Sequence, residues 1–171
     1  KRYFQEEKSI NRQYFDEYID RFVKANSDRY EFIVKEATDY IRGSVKGYTV
    51  MDMFVSFSGG KDSTVTSDLV IRALSEPKIL HIFGDTTLEF PETIKYVERF
   101  KKEHPKTPVL SSRNKDKDFE ELCQLVGPPS RVMRWCCTVF KTGAIQRKIK
   151  SLFKNKNKII TFYGIRRSES K

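Results

Sequence analysis

Apolar residues recur along this chain in two rhythms, and the change between them falls near residue 50. Before that point the spacing is helical. Phe15, Tyr18, Ile19 and Phe22 share one face, and Ile33, Ala37, Tyr40 and Ile41 share another. Asn26-Ser27-Asp28 breaks the two runs apart and caps the second, which Gly43 and Gly47 end. After residue 50 short apolar runs alternate with helical ones. Strands are predicted over 51–57, 78–83, 108–111 and 158–163. Helices are predicted over 62–75, 116–126 and 138–153, with a further one beginning near Pro91, a residue suited to a first turn. Their inward residues are Val65, Leu69, Val70, Ala73 and Leu74, then Ile94, Val97 and Phe100, then Ile145, Ile149 and Leu152. This alternation predicts an α/β fold: a doubly wound parallel sheet with helices on both faces, preceded by an N-terminal helical pair. The expected division is a helical segment, 1–47, packing on a core domain, 48–171.

Ligands of such sheets bind at the carboxyl ends of the strands. Three polar segments fall there: Ser58 to Ser63, Asp85 with Thr86, and Gly164 to Arg167. The first reads Ser58-Gly59-Gly60-Lys61-Asp62-Ser63 between a strand and a helix. Glycines let the backbone approach a ligand closely and adopt positive φ. A helix N-terminus presents unpaired N–H groups and the positive end of its dipole, so the junction suits phosphate. Lys61 adds a mobile charge, and Ser58 and Ser63 add hydroxyls that donate to a ligand or cap the helix. Asp62 repels phosphate by itself and fits better beside a magnesium ion or as a cap. The Walker A pattern is excluded, because Val55 stands where it needs glycine and Asp62 where it needs Ser or Thr. At the next strand end Asp85 and Thr86 are candidates for ribose, adenine or magnesium, with a loop cap as the alternative for Asp85. Arg166 and Arg167 offer guanidinium forks for phosphate or sulfate oxygens. His81 and His104 have no Cys or His at ligand spacing and read as structural or surface residues.

The loop Ser58 to Ser63 resembles the PP-loop of enzymes that cut ATP between its α and β phosphates, the ATP pyrophosphatase or adenine nucleotide alpha-hydrolase-like superfamily. Asp85-Thr86-Thr87 with Phe90-Pro91-Glu92-Thr93, then Cys136-Cys137 with Lys141, then Gly164-Ile165-Arg166 with Glu169-Ser170, resemble segments of the phosphoadenosine phosphosulfate (PAPS) reductase family, in that family's order. Thr87 stands where the reductase pattern has glycine. The resemblance runs from about Val50 to Lys171 and implies a Rossmann-like nucleotide-binding domain, with the family extending beyond the C-terminal residue seen here. It implies ATP, PAPS or adenylyl sulfate as ligand, magnesium as cofactor, and Lys61, Asp62 and Arg166 as catalytic residues. It also implies an iron–sulfur cluster on Cys136 and Cys137. Cys123 is a candidate third ligand, and a [4Fe-4S] cluster would need completion from outside the chain.

Composition adds three points. The net charge of +10 is concentrated in residues 131–171, where twelve Lys and Arg face the single acid Glu169, leaving the first 130 residues at −1. A basic third beside a nucleotide site fits a polyanionic acceptor, either a nucleic acid or a sulfur-carrier protein. Lys154, Lys156 and Lys158 read equally well as a solvated lysine run. Three cysteines, two of them adjacent, do not make a disulfide framework, so the thiols are expected reduced or metal-bound in the cytoplasm. Arg131, Arg134 and Lys141 offset the charge of a thiolate or cluster there. No apolar run approaches the roughly 20 residues of a membrane span.

Three activities follow as expectations. The first is ATP cleavage at the α–β bond to adenylate an acceptor in sulfur metabolism, which the intact loop favours. The second is reduction of adenylyl sulfate or PAPS to sulfite, whose cysteine nucleophile the resemblance puts in a C-terminal tail outside residues 1–171. The third is a non-catalytic nucleotide module that docks nucleic acid through its basic third.

Overall fold

A computed structural model describes residues 2–166, with side chains from residue 12 onward. The chain forms two compact units, one up to Tyr40 and one from Ile41. The first is helical. Helix α1 spans Arg2–Ala25 and α2 spans Ser27–Ser44. The break falls at Asn26, whose side-chain Nδ2 donates to the Phe22 carbonyl at 2.8 Å. Among the described side chains of this unit Phe15, Tyr18, Phe22 and Tyr40 are exposed.

The second unit is a four-stranded parallel sheet in the order β3-β2-β1-β4. The strands are β1 (Met53–Phe57), β2 (Leu80–Asp85), β3 (Val109–Arg113) and β4 (Ile160–Phe162). Between them run α3 (Lys61–Leu74), α4 (Pro91–Glu103), α5 (Phe119–Val126) and α6 (Ala144–Leu152). The alternation of side chains along a strand sorts these helices onto two faces. Met53, Val55 and Phe57 point one way. Val55 packs with Val70 and Ala73 of α3, and Phe57 packs with Val97 and Phe100 of α4. The other face carries Phe54, whose ring packs tilted against Phe153 at 5.9 Å, and Gly84, which lies under Ile145 of α6. The sheet is therefore doubly wound. Because β2 and β4 flank β1 on opposite sides, the direction of winding reverses between β1 and β4.

Several predicted boundaries and faces change. Val65 is exposed, because the buried stripe of α3 runs through Ser63, Ser67, Val70 and Ala73, and Val65 lies two residues from Ser63 on the far side. Leu152 is likewise 41 % exposed at the last turn of α6. The helix predicted from 116 starts at 119, since Asp118 caps it by accepting the Glu121 N–H while Glu121 returns a bond to the Asp118 N–H. Cys137–Gly143, expected as regular α-helix, is a π-helical turn leading into α6. Gly143 permits it, as a Cβ there would lie 2.7 Å from the Thr138 carbonyl five residues back. Lys156 is exposed but not free. It pairs with Asp52 and holds that carboxyl well below its usual range, at about 2, helped by bonds from Thr49. No helix among the described residues is long and apolar enough to cross a membrane.

Candidate nucleotide site at the switch point

The loop after β1 is closed by its own serine. Ser63 is 5 % exposed, and its hydroxyl donates to the Gly60 carbonyl at 2.9 Å. The same oxygen accepts the Ser58 N–H at 3.2 Å and the Ser58 hydroxyl at 3.1 Å. Its one hydrogen is thus spent inside the loop, so Ser63 positions the loop rather than donating to a ligand. Gly59 has φ +71°, and a Cβ there would lie 2.9 Å from Val97 of α4. Conformation and space both require glycine at that position. Gly60 is extended and serves as the N-cap of α3, so neither Ser58 nor Asp62 is the cap. Asp62 sits in the first turn, where its charge complements the helix dipole. The first amides of α3 have no partners within the helix.

This loop borders a cavity of about 640 Å³. Ser58, Gly60, Lys61, Asp62 and Ser63 form one wall. Tyr163, Gly164 and Ile165, which follow β4, form another, and Lys141, Ile145, Gln146 and Ile149 from the opposite face of the sheet complete it. The cavity therefore lies at the crevice between β1 and β4 where α/β sheets bind ligands. Gly164 is what lets β4 come so close. A Cβ on it would lie 2.7 Å from the Asp62 carbonyl oxygen and 2.6 Å from the Thr66 hydroxyl. Arg166 reaches back to the loop, with Nε 3.5 Å from Asp62 Oδ2. Arg167 lies outside the described residues.

Asp85 and Thr86 do not line this cavity. Asp85 Oδ1 accepts the Thr87 N–H at 3.0 Å, and Thr86 donates to Glu89 at 2.9 Å, so both brace their own loop. The loop carries strain: Thr87 has φ +68°, and its buried hydroxyl has no hydrogen-bond partner. Thr86 faces a separate small apolar cavity of about 140 Å³ with Cys136, Cys137 and Lys141. Lys141 thereby borders both cavities. Ile145, Gln146, Ile149 and Tyr163 were missed as site residues. No local sequence signal marks them, because only the pairing of β4 with β1 and the packing of α6 on β2 and β3 bring them to the cavity.

Cys123 lies apart from the paired cysteines. It lines a different recess, with Thr87 and Arg113, while the Phe119 ring, one turn before it, packs tilted against Trp135 and Phe140 at 5.3 and 6.0 Å. Among the described residues no group of three or more His, Cys, Asp or Glu side chains is arranged to hold a metal ion. The three thiols therefore do not fit an iron–sulfur cluster among the described residues. The Arg134 guanidinium does reach Cys137 Sγ, at 3.7 Å. Magnesium is a different case. Such ions take one or two carboxylates and complete their shell with phosphate oxygens and water, and Asp62 in the cavity wall is a donor of that kind.

A parallel sheet with a glycine loop and lysine at its switch point defines a doubly wound α/β protein with a candidate anion-binding loop. The phosphoadenosine phosphosulfate reductase domain matches residues 52–171, and the chain belongs to that family. Two uncharacterised proteins of Methanocaldococcus jannaschii are similar to it. MJ0973 is 33% identical over 159 residues, covering 90% of this chain and 36% of its own length. MJ0066 is 32% identical over 155 residues, covering 91% and 31%. The chain thus spans about a third of the length of these curated relatives. Among solved structures, the phosphoadenylyl-sulfate reductase of Candida auris in its phosphate complex shares the fold, with a TM-score of 0.56 at 17% identity, covering 79% of this chain and 63% of that one.

Proposed function

We propose that the domain binds ATP at the Ser58–Ser63 loop and cleaves it between the α and β phosphates, adenylating an acceptor in sulfur transfer. The observation that carries this reading is the intact loop, closed on Ser63 and opening onto a cavity of nucleotide size at the switch point. In this reading the first amides of α3 and the Lys61 ammonium hold the departing pyrophosphate, where charge develops as the bond breaks. Ser63 and Gly59 keep those donors in place, so little reorganisation accompanies the reaction. Asp62 holds magnesium, which neutralises phosphate charge when bound. Arg166 binds α-phosphate oxygens and, through Asp62, stays close to the loop. Gly164 keeps the end of β4 near enough for that contact.

A second reading, reduction of a sulfonucleotide to sulfite, is favoured by the family's description and by Lys141, which borders both the loop cavity and the cavity of the paired thiols. Calorimetric titration separates the two. ATP with magnesium is expected to bind, and, with the acceptor supplied, to yield pyrophosphate and the adenylated acceptor rather than ADP and phosphate; AMP leaves only when a sulfur nucleophile then displaces it from the acceptor. Tight binding of PAPS or adenylyl sulfate with no measurable ATP binding would overturn the first reading in favour of the second.

A further inference from the structure

Beyond the nucleotide cavity, the same edge of the sheet carries a second cavity of about 550 Å³ between the end of β3 and α6. Arg113 and Lys115 line it from the strand side, and Arg147 and Lys148 from the helix, against the single acid Asp116. Among the described residues none of these four cations pairs with a carboxylate. The Arg147 guanidinium is held in place by a bond from Nη2 to Asn114 Oδ1 at 3.1 Å, and Asn114 is itself anchored to the Lys117 carbonyl at 3.0 Å. Ser112 also lines the cavity. It is only 3 % exposed, and its hydroxyl has no hydrogen-bond partner. A buried hydroxyl without a partner is costly, and native structures rarely keep one without a use. Its side chain faces α6, because Ser112 is paired in register with Gly84, whose missing Cβ would meet Ile145 of that helix.

From this geometry we infer that the cavity is a second oxyanion site, which takes a phosphate group on a molecule other than the nucleotide of the switch-point cavity. Guanidinium and ammonium groups supply charge-assisted donors, and the Ser112 hydroxyl supplies a neutral one. The two cavities are separate. The PP-loop follows β1 while Arg113 ends β3, two strands away, or roughly 10 Å at ordinary strand spacing. Ile145 covers the intervening strand at Gly84. Ile145 and Ile149 of α6 line the nucleotide cavity, whereas Arg147 and Lys148 line this one, so the helix serves both from different faces.

Titration with inorganic phosphate, followed by calorimetry on the whole chain, tests the inference. Two sites are expected. Lys61→Ala removes the one at the loop. Arg147→Gln with Lys148→Gln leaves that site alone and weakens the other at least tenfold. Ser112→Ala weakens the second site about tenfold, as loss of a hydrogen bond to a charged group does. It leaves Tm unchanged or higher, since the hydroxyl has no protein partner to lose. A second site unmoved by both sets of substitutions, or a single site abolished by Lys61→Ala, overturns the inference. If instead Lys61→Ala changes nothing while the Arg147 and Lys148 variant loses a site, this inference stands and the loop assignment fails. An oligonucleotide with and without a 5′-phosphate identifies the source. A gain from the phosphate that vanishes in the Arg147 and Lys148 variant shows that the site takes nucleic-acid ends. The absence of a gain, with inorganic phosphate still binding, shows that it takes a free phosphate compound.

Discussion

Lys61 and Thr87 are the two residues whose substitution is most informative. Lys61 is exposed on the cavity wall, so its removal leaves no buried partner unpaired and tests ligand binding alone. Lys61→Ala is expected to weaken ATP binding roughly tenfold to hundredfold, the range for losing a hydrogen bond to a charged group, with Tm unchanged. Equal ATP affinity in the variant would remove the loop assignment. Thr87 differs from the glycine of the reductase pattern at a position where φ is +68°. A β-branched residue in the left-handed region costs about 1–2 kcal/mol, and its buried hydroxyl adds an unsatisfied donor. Glycine relieves both at some cost in chain entropy. Thr87→Gly is therefore expected to raise stability by about 1 kcal/mol, read as an upward shift of the denaturation midpoint. A destabilised variant would mean that Thr87 makes a contact the loop needs.

At the scale of elements, the site depends on the end of β4 lying against the first turn of α3. Gly164 is the point of contact, and the closest atoms to an added Cβ include the backbone of Asp62. Gly164→Ala is expected to cost about 1–3 kcal/mol, the usual range for overpacking, and to weaken ATP binding by displacing the loop. Adding Thr66→Ala is not expected to restore either property, because the Asp62 carbonyl still blocks the methyl group. Full rescue in thermal denaturation by the second substitution would show that only the Thr66 side chain was in the way. The π-helical turn of Cys137–Gly143 plays a comparable part on the other face. Its extra residue per turn brings Lys141 to the rim of both cavities, where a regular helix would set that side chain on a different bearing.

At the scale of the whole molecule, stability is linked to pH through the core. His81 is fully buried, its Nδ1–H donates to the Ile79 carbonyl at 2.9 Å, and its Nε2 accepts from Ser67 at 2.7 Å. Burial lowers its pKa below the ordinary 6.5, outweighing the Ile79 bond, with His104 adding to the effect. Below pH 6.5 the unfolded chain therefore binds a proton that the folded chain refuses. Stability from this residue is full above that pH and falls as pH drops from 6.5 toward the lowered folded value. Denaturation midpoints measured from pH 8 to 5 should show the fall, and His81→Phe with Ser67→Ala should flatten it. An unchanged slope in the double variant would assign the effect elsewhere. Much of this design is legible in the sequence. Alternating apolar runs determine the strands, the helices and the parallel sheet, because period and burial are local properties of the pattern. Ser58 to Ser63 determine a glycine turn at a helix start whose chemistry suits phosphate, because glycine, lysine and unpaired helix amides fall together within six residues. The tertiary structure alone decides which strand ends share a cavity. It brings Gly164 against Asp62 and α6 over β2 and β3, takes Asp85 and Thr86 out of that cavity, and places Cys123 in a different recess from Cys136 and Cys137. Strand order and helix facing depend on contacts between residues up to about a hundred positions apart, and no local spacing encodes which of those contacts form.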